Sequence, residues 1–225
     1  MGLVTGYRSA LPLRFCAHSK FVQDITTAHG WLPAARYTNL RDVRSYPKLG
    51  FLDIEWKNYD LESHIRAAEK TRPHITIARD VESLESLSEI LDEADALLAY
   101  SERVAIVPKD ERFNGHRLAD LIPPRFMLAY SVPSRYGGTK VPPELFDRDT
   151  HLLGGSPARQ LELADKLHVY SLDCNRFTID AKFGDRFDGA RFINARHLGY
   201  RECLRQSVVA INDAWVAATE RKAAA

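Results

Sequence analysis

The strongest constraint on this chain is an alternation. Short apolar runs without a two-residue period are separated by stretches of helical period, and almost every run stops on a charged or small polar residue. The clear runs are 49–53, 74–78, 104–107, 126–131, 151–154 and 169–172, with weaker ones at 11–16 and 191–193. Runs of this length without alternation suit strands buried on both faces, as in a parallel sheet covered by helices. Between them lie stripes of helical spacing. Leu61, Ile65 and Ala68 follow a candidate cap at Asp60, and Leu84, Leu87, Leu91, Ala94 and Leu98 form a second stripe. Leu161, Ala164 and Leu167 follow Ser156 as cap with Pro157 at the first helical position. Leu204, Val208, Ile211, Trp215 and Ala218 form a closing helix.

Six to eight such strands predict one α/β domain over residues 1–225, a compact (β/α)8 TIM barrel in preference to a doubly wound sheet. No GxGxxG follows the first strand and no Walker motif occurs, so the usual nucleotide-binding folds lack their signatures. The chain is short for a barrel, at 225 residues, so some helices must be shortened or missing. The Pro- and Gly-rich stretches 107–125 and 131–150 are the expected places. The terminal residues 221–225 read as a cloning scar and are left out of the fold.

A hydrophobic share of 45% and a charged share of 27% are ordinary for a globular chain, and the net charge of +1 does not point to a partner. No apolar run approaches the ~20 residues of a membrane span, and no secretory leader opens the chain; the expectation is a cytoplasmic protein without a membrane partner. Cys16, Cys174 and Cys203 are not spaced as CxxC, and no HxH or HExxH pair exists, so neither a disulfide framework, a metal site nor a cofactor is expected.

In barrels, sites lie at the C-terminal ends of the strands. Those ends carry Asp53, Asp80, Lys109, Ser131, Gly154 with Gly155, and Asp173 followed by Asn175 and Arg176. Asp53 is flanked by core residues, and a carboxylate there needs a partner or a job. Asp173 ends an apolar strand and leads into a loop rather than a clear helix. Asp80 reads equally as a helix cap. Asn175 and Arg176 are loop punctuation or groups that orient Asp173 or neutralise its charge. Gly154-Gly155-Ser156 reads as a plain turn and cap or as a close-approach site for a phosphate or planar base. Arg135 and Lys140 flank a loop suited to a phosphate backbone, and Arg159 and Lys182 extend that rim. His74 and His151 open their strands, which places them at the opposite, stability face.

These residues, in this order, resemble the tRNA-guanine transglycosylase superfamily over about residues 49–180. The closest resemblance is to compact relatives that insert 7-deazaguanines into DNA in phage and bacterial modification systems. The most specific segments are HLLGGSP at 151–157 and SLDCNRF at 171–177. The resemblance implies a TIM barrel with Asp173 as nucleophile, Asp53 as acid/base, Asp80 reading the base, and Gly154 and Gly155 beside its pocket. It implies exchange of guanine in DNA, or second to that tRNA, for a free 7-deazaguanine; a homodimer is compatible with it. Three features depart from the family. The zinc-binding Cys cluster is absent, Ile54-Glu55-Trp56 replaces a serine-glycine-glycine segment, and Lys109 stands near the place of a base-holding glutamine. The alternatives are a TIM-barrel hydrolase or lyase acting on a small phosphorylated metabolite, and an inactive nucleic-acid-binding relative.

Overall fold

A computed structural model describes residues 11–134 and 137–224. Eight parallel strands close into a barrel in sequential order: β1 (Leu13–Ala17), β2 (Leu32–Arg36), β3 (Phe51–Asp53), β4 (Ile75–Ile77), β5 (Arg103–Ile106), β6 (Met127–Ser131), β7 (Thr150–Leu153) and β8 (Val169–Asp173). β1 pairs with β8, with Phe15 opposite Asp173, and so completes the ring. All the strands run the same way, so their C-terminal ends share one mouth.

The helices are α1 (Lys20–Thr27), α2 (Leu61–Thr71), α3 (Leu87–Leu98), α4 (Leu118–Leu121), α5 (Pro157–Leu163), α6 (Arg176–Lys182) and α7 (Gly199–Ala224). The caps read from the sequence form. Asp60 accepts from the N–H groups of Glu62 and Ser63, and Ser156 accepts from that of Arg159 ahead of Pro157. The stretches rich in Pro and Gly are where the helical layer thins. β5 and β6 are joined by a 3₁₀ turn and the single-turn α4, and β6 and β7 by a loop with one 3₁₀ turn.

Three elements depart from the sequence reading. β2 was not expected, because Pro33 and two alanines dilute its apolar signal. Its pairing with β1 and β3 supplies the order that the composition hides. Residues 191–193 belong outside the barrel: β10 (Phe192–Asn194) pairs antiparallel with β9 (Asp185–Phe187). The residues after Asp173 form a helix, α6, packed against α7. Lys222, left out of the fold in the sequence reading, packs on it: its ammonium donates to the carbonyls of Ala164 and Leu167 beyond α5.

The barrel is filled, not hollow. Phe15, Ala34, Phe51, Ile75, Ile77, Ala105, Val107, Met127 and Ala129 pack inside it, and a larger apolar layer lies between strands and helices. Among the described residues, no helix is long and apolar enough to cross a membrane.

Candidate active site

Asp53 is the last residue of β3 and stands opposite Arg36 of β2 in register. Its Oδ1 accepts from the Ile54 N–H at 2.8 Å, and the Arg36 guanidinium approaches its Oδ2 only to 3.7 Å. Arg36 is drawn instead to Glu55, at 3.1 Å. Burial is the main cause that pushes the Asp53 carboxyl up to about 7, and the negative charge of Asp173 adds to it. The two carboxylates therefore share one electrostatic environment, although they are 120 residues apart in sequence.

Asp173 ends β8 and is almost fully buried. Its Oδ1 accepts from the Gly154 N–H at 2.8 Å. Gly154 follows β7 directly and adopts φ +65°, and a Cβ placed there would meet nothing within 4 Å. That backbone therefore lies open on the side where a Cβ would stand. Gly155, with φ +82°, is the reverse case: a Cβ there would come within 2.5 Å of Val132.

Asp80 lies three residues beyond β4. It caps no helix; Ser83 and Asp110 serve the following turn. Asp80 meets the Lys109 ammonium at 2.5 Å, while its buried Oδ1 has no hydrogen-bond partner among the described residues. Burial raises the Asp80 carboxyl, and Lys109 partly offsets this. Burial lowers Lys109, but the facing charges of Asp80 and Glu82 win and raise it. Ser131 ends β6 and is held through its backbone: its N–H donates to the Thr139 hydroxyl and its carbonyl accepts from the Thr139 N–H.

The sequence reading of Asn175 and Arg176 as partners of Asp173 is corrected. Arg176 forms a two-pronged pair with Asp180, at 2.6 and 2.8 Å, one helical turn along α6. The Asn175 side chain accepts from the Cys16 thiol. Arg159 is paired with Glu162, and Lys140 and Lys182 are exposed. Arg135 lies outside the described residues.

His151 is corrected too. It lies within β7, fully buried, with its Nε2 3.3 Å from Asp173 Oδ1 and its Nδ1 2.9 Å from the Ser171 hydroxyl. A register shift between Thr150 and His151 sets it opposite Ser171, two residues below Asp173 and on the same interior face. That irregularity is invisible in sequence. His74 does stand at the far end, bonded to Glu102 and Tyr170. Gln160 of α5 was missed as well. Its buried amide donates to the carbonyls of Gly154 and Asp173, both at 2.7 Å, and ties the ends of β7 and β8 together.

All three cysteines are free and buried, and burial pushes the Cys174 thiol up to about 12. They are poor nucleophiles in this setting. Among the described residues, no group of three or more His, Cys, Asp or Glu is placed to hold a metal ion. Two clefts lie away from the carboxylates. One, of about 530 Å³, lies beside α2 and is lined by Tyr37, Asn58, Arg66 and Lys70; the other, of about 540 Å³, lies at the opposite end of the barrel and is lined by Arg103, Arg125, Arg148 and His168. The arginines of the second cleft are bound up in ion pairs, Arg103–Asp149, Arg125–Asp95 and Arg148–Asp147. The mouth is the better candidate, because buried carboxylates converge there.

Comparison with curated proteins finds no match. One protein family matches residues 26–216, a span that takes in all of the strand-end cluster. The chain belongs to DUF6610, a family of unknown function.

Proposed function

We propose that this protein is a base-exchanging nucleic-acid glycosyltransferase that replaces guanine in DNA, in preference to tRNA, with a free 7-deazaguanine. The observation that carries the reading is the pair Asp53 and Asp173 at one barrel mouth, with the Asp53 proton held to about 7. One carboxylate is thereby suited to attack and the other to carry a proton near neutral pH.

In this reading an oxygen of Asp173 attacks C1′ of the sugar. The bond from C1′ to guanine N9 breaks, its electron pair leaves with the base, and Asp53 supplies the proton that guanine takes up. The incoming base then gives its N9 proton to Asp53, its N9 attacks C1′, and Asp173 is released. The buried, unpartnered Oδ1 of Asp80 suits the N–H donors along one edge of a guanine-like base, with Lys109 holding the carboxylate in place. The open backbone at Gly154 leaves room for a planar ring. The target nucleotide must be unpaired or flipped to reach the mouth. Exposed Lys140 and Lys182, together with Arg159 and Arg176, are candidates for the phosphate rim; binding through them would weaken steeply with salt.

The test is exchange of labelled guanine into an oligonucleotide, followed with and without an incoming deazaguanine. Asp173→Asn should reduce exchange by several orders of magnitude while fold and oligonucleotide binding persist. Asp53→Asn should slow it by about 100- to 10,000-fold, the usual worth of a positioned proton carrier. Without incoming base, the intact protein should form a covalent species on a denaturing gel. Formation of that species by Asp173→Asn would remove the assignment. Unchanged nucleosides in DNA from cells with and without the gene would remove the DNA substrate.

A further inference from the structure

We propose that His151 is the positioning residue of Asp173: its Nε2–H and the Gly154 N–H grip one carboxylate oxygen, Oδ1, and so present the other, Oδ2, for attack. The role rests on the glycosyltransferase reading, while the pairing itself does not.

The interior of the barrel around His151 is aromatic and aliphatic. Its ring centroid lies 4.7 Å from that of Phe51 and 6.0 Å from that of Phe15. A buried imidazole in such surroundings is costly unless both nitrogens are used. Ser171 settles one of them. Its hydroxyl lies 2.9 Å from Nδ1; with that hydroxyl as donor, the arrangement we assign, the ring proton sits on Nε2. Nε2 then faces Asp173 Oδ1 at 3.3 Å and has no other partner among the described residues. The contact falls short of a well-formed hydrogen bond, as donor contacts in unliganded sites often do before substrate draws them together.

The geometry on the carboxylate is one-sided. Gly154 N–H also ends on Oδ1, at 2.8 Å, and Oδ2 accepts no hydrogen bond among the described residues. Gln160 adds a third restraint by clamping the Asp173 and Gly154 carbonyls, so the strand end beside the donors and the strand end that carries the carboxylate are both fixed to α5. A side chain chosen only to fill the barrel would be aliphatic, like Leu153 or Ala129 near it. The sequence Ser171, His151, Asp173 is a chain of donors ending on the attacking group.

Two measurements decide the matter. The first is independent of activity: ¹⁵N NMR of the His151 ring in the intact protein. The expected result is a ring with its proton on Nε2 and none on Nδ1, whose signal shifts in Asp173→Asn and which loses its single tautomer in Ser171→Ala. A ring protonated on Nδ1, or one indifferent to Asp173→Asn, would overturn the pairing. The second is kinetic. His151→Phe keeps an aromatic ring against Phe51 but removes the donor, so kcat should fall about 100-fold, the scale of losing one aimed donor, with KM nearly unchanged. His151→Gln restores an N–H at similar reach and should recover most of that loss. Wild-type exchange by His151→Phe, or no recovery by a folded His151→Gln, would overturn the positioning role. A wild-type protein that shows the Nε2 tautomer but never exchanges guanine would instead sink the glycosyltransferase reading and leave the pairing standing.

Discussion

Asp53 is held in a state that costs the fold something. Its side chain keeps only 18% of its surface open, its nearest cation is 3.7 Å away, and Asp173 repels it. An unfolded aspartate titrates near 3.9. In the folded protein the value is raised to about 7, so the folded state holds the proton more tightly. This contribution to stability is complete below about pH 4 and is lost as pH rises through about 7. Asp53→Asn removes the titration. Its stability should match the wild type near pH 4 and exceed it at pH 8 by up to about 4 kcal/mol. A variant less stable than the wild type at pH 8 would show that the folded protein compensates the Asp53 charge. Strain of this kind, kept where no core packing requires it, is what a proton carrier needs.

At the scale of elements, the β7–α5 junction and the end of β8 carry the site. Gly154 and Gly155 both adopt left-handed backbone, yet their neighbours differ. Gly154→Ala should cost only backbone strain, on the order of 1 kcal/mol, because space is open beside it. Gly155→Ala adds a clash with Val132 and should cost roughly 2–4 kcal/mol in urea or thermal unfolding. Equal costs for the two substitutions would contradict the packing described. The two-glycine turn was legible in the sequence, but the division of labour within it was not. One glycine has open space where a Cβ would stand, and the other backs against Val132, just beyond β6.

At the scale of the whole molecule, the 26-residue α7 fastens the barrel where it closes. It packs on α1, α5, α6 and β9. Asn212 accepts from the Trp31 indole N–H at 2.8 Å and donates to the His29 carbonyl at 2.9 Å, which locks α7 to the turn before β2. Trp31 is itself buried and stacks edge-on against Phe177 of α6. Asn212→Ala leaves that indole N–H unpaired and should lower stability by roughly 1–3 kcal/mol, several degrees in Tm. Its effect on oligonucleotide binding should be small, since Asn212 lies on the outer layer. A melt indistinguishable from the wild type would show that water replaces both bonds.

The sequence by itself determined the barrel's strong strands, the polar residue after each, the caps Asp60 and Ser156, and the places where helices thin. These features are local. Apolar period, glycine, proline and capping chemistry act over a few residues and can be read there. It determined Asp53 and Asp173 as candidates for the same reason: a carboxylate at the end of a buried run stands out without knowledge of its neighbours. Only the tertiary structure decided which groups touch them. Arg176 turned to Asp180 because α6 puts the two side by side one turn apart. His151 came beneath Asp173 because the strands shift register between Thr150 and His151, and Gln160 reached both strand ends because α5 folds back across β7 and β8. Contacts of this kind depend on register and packing between segments, and no single stretch of the chain encodes them.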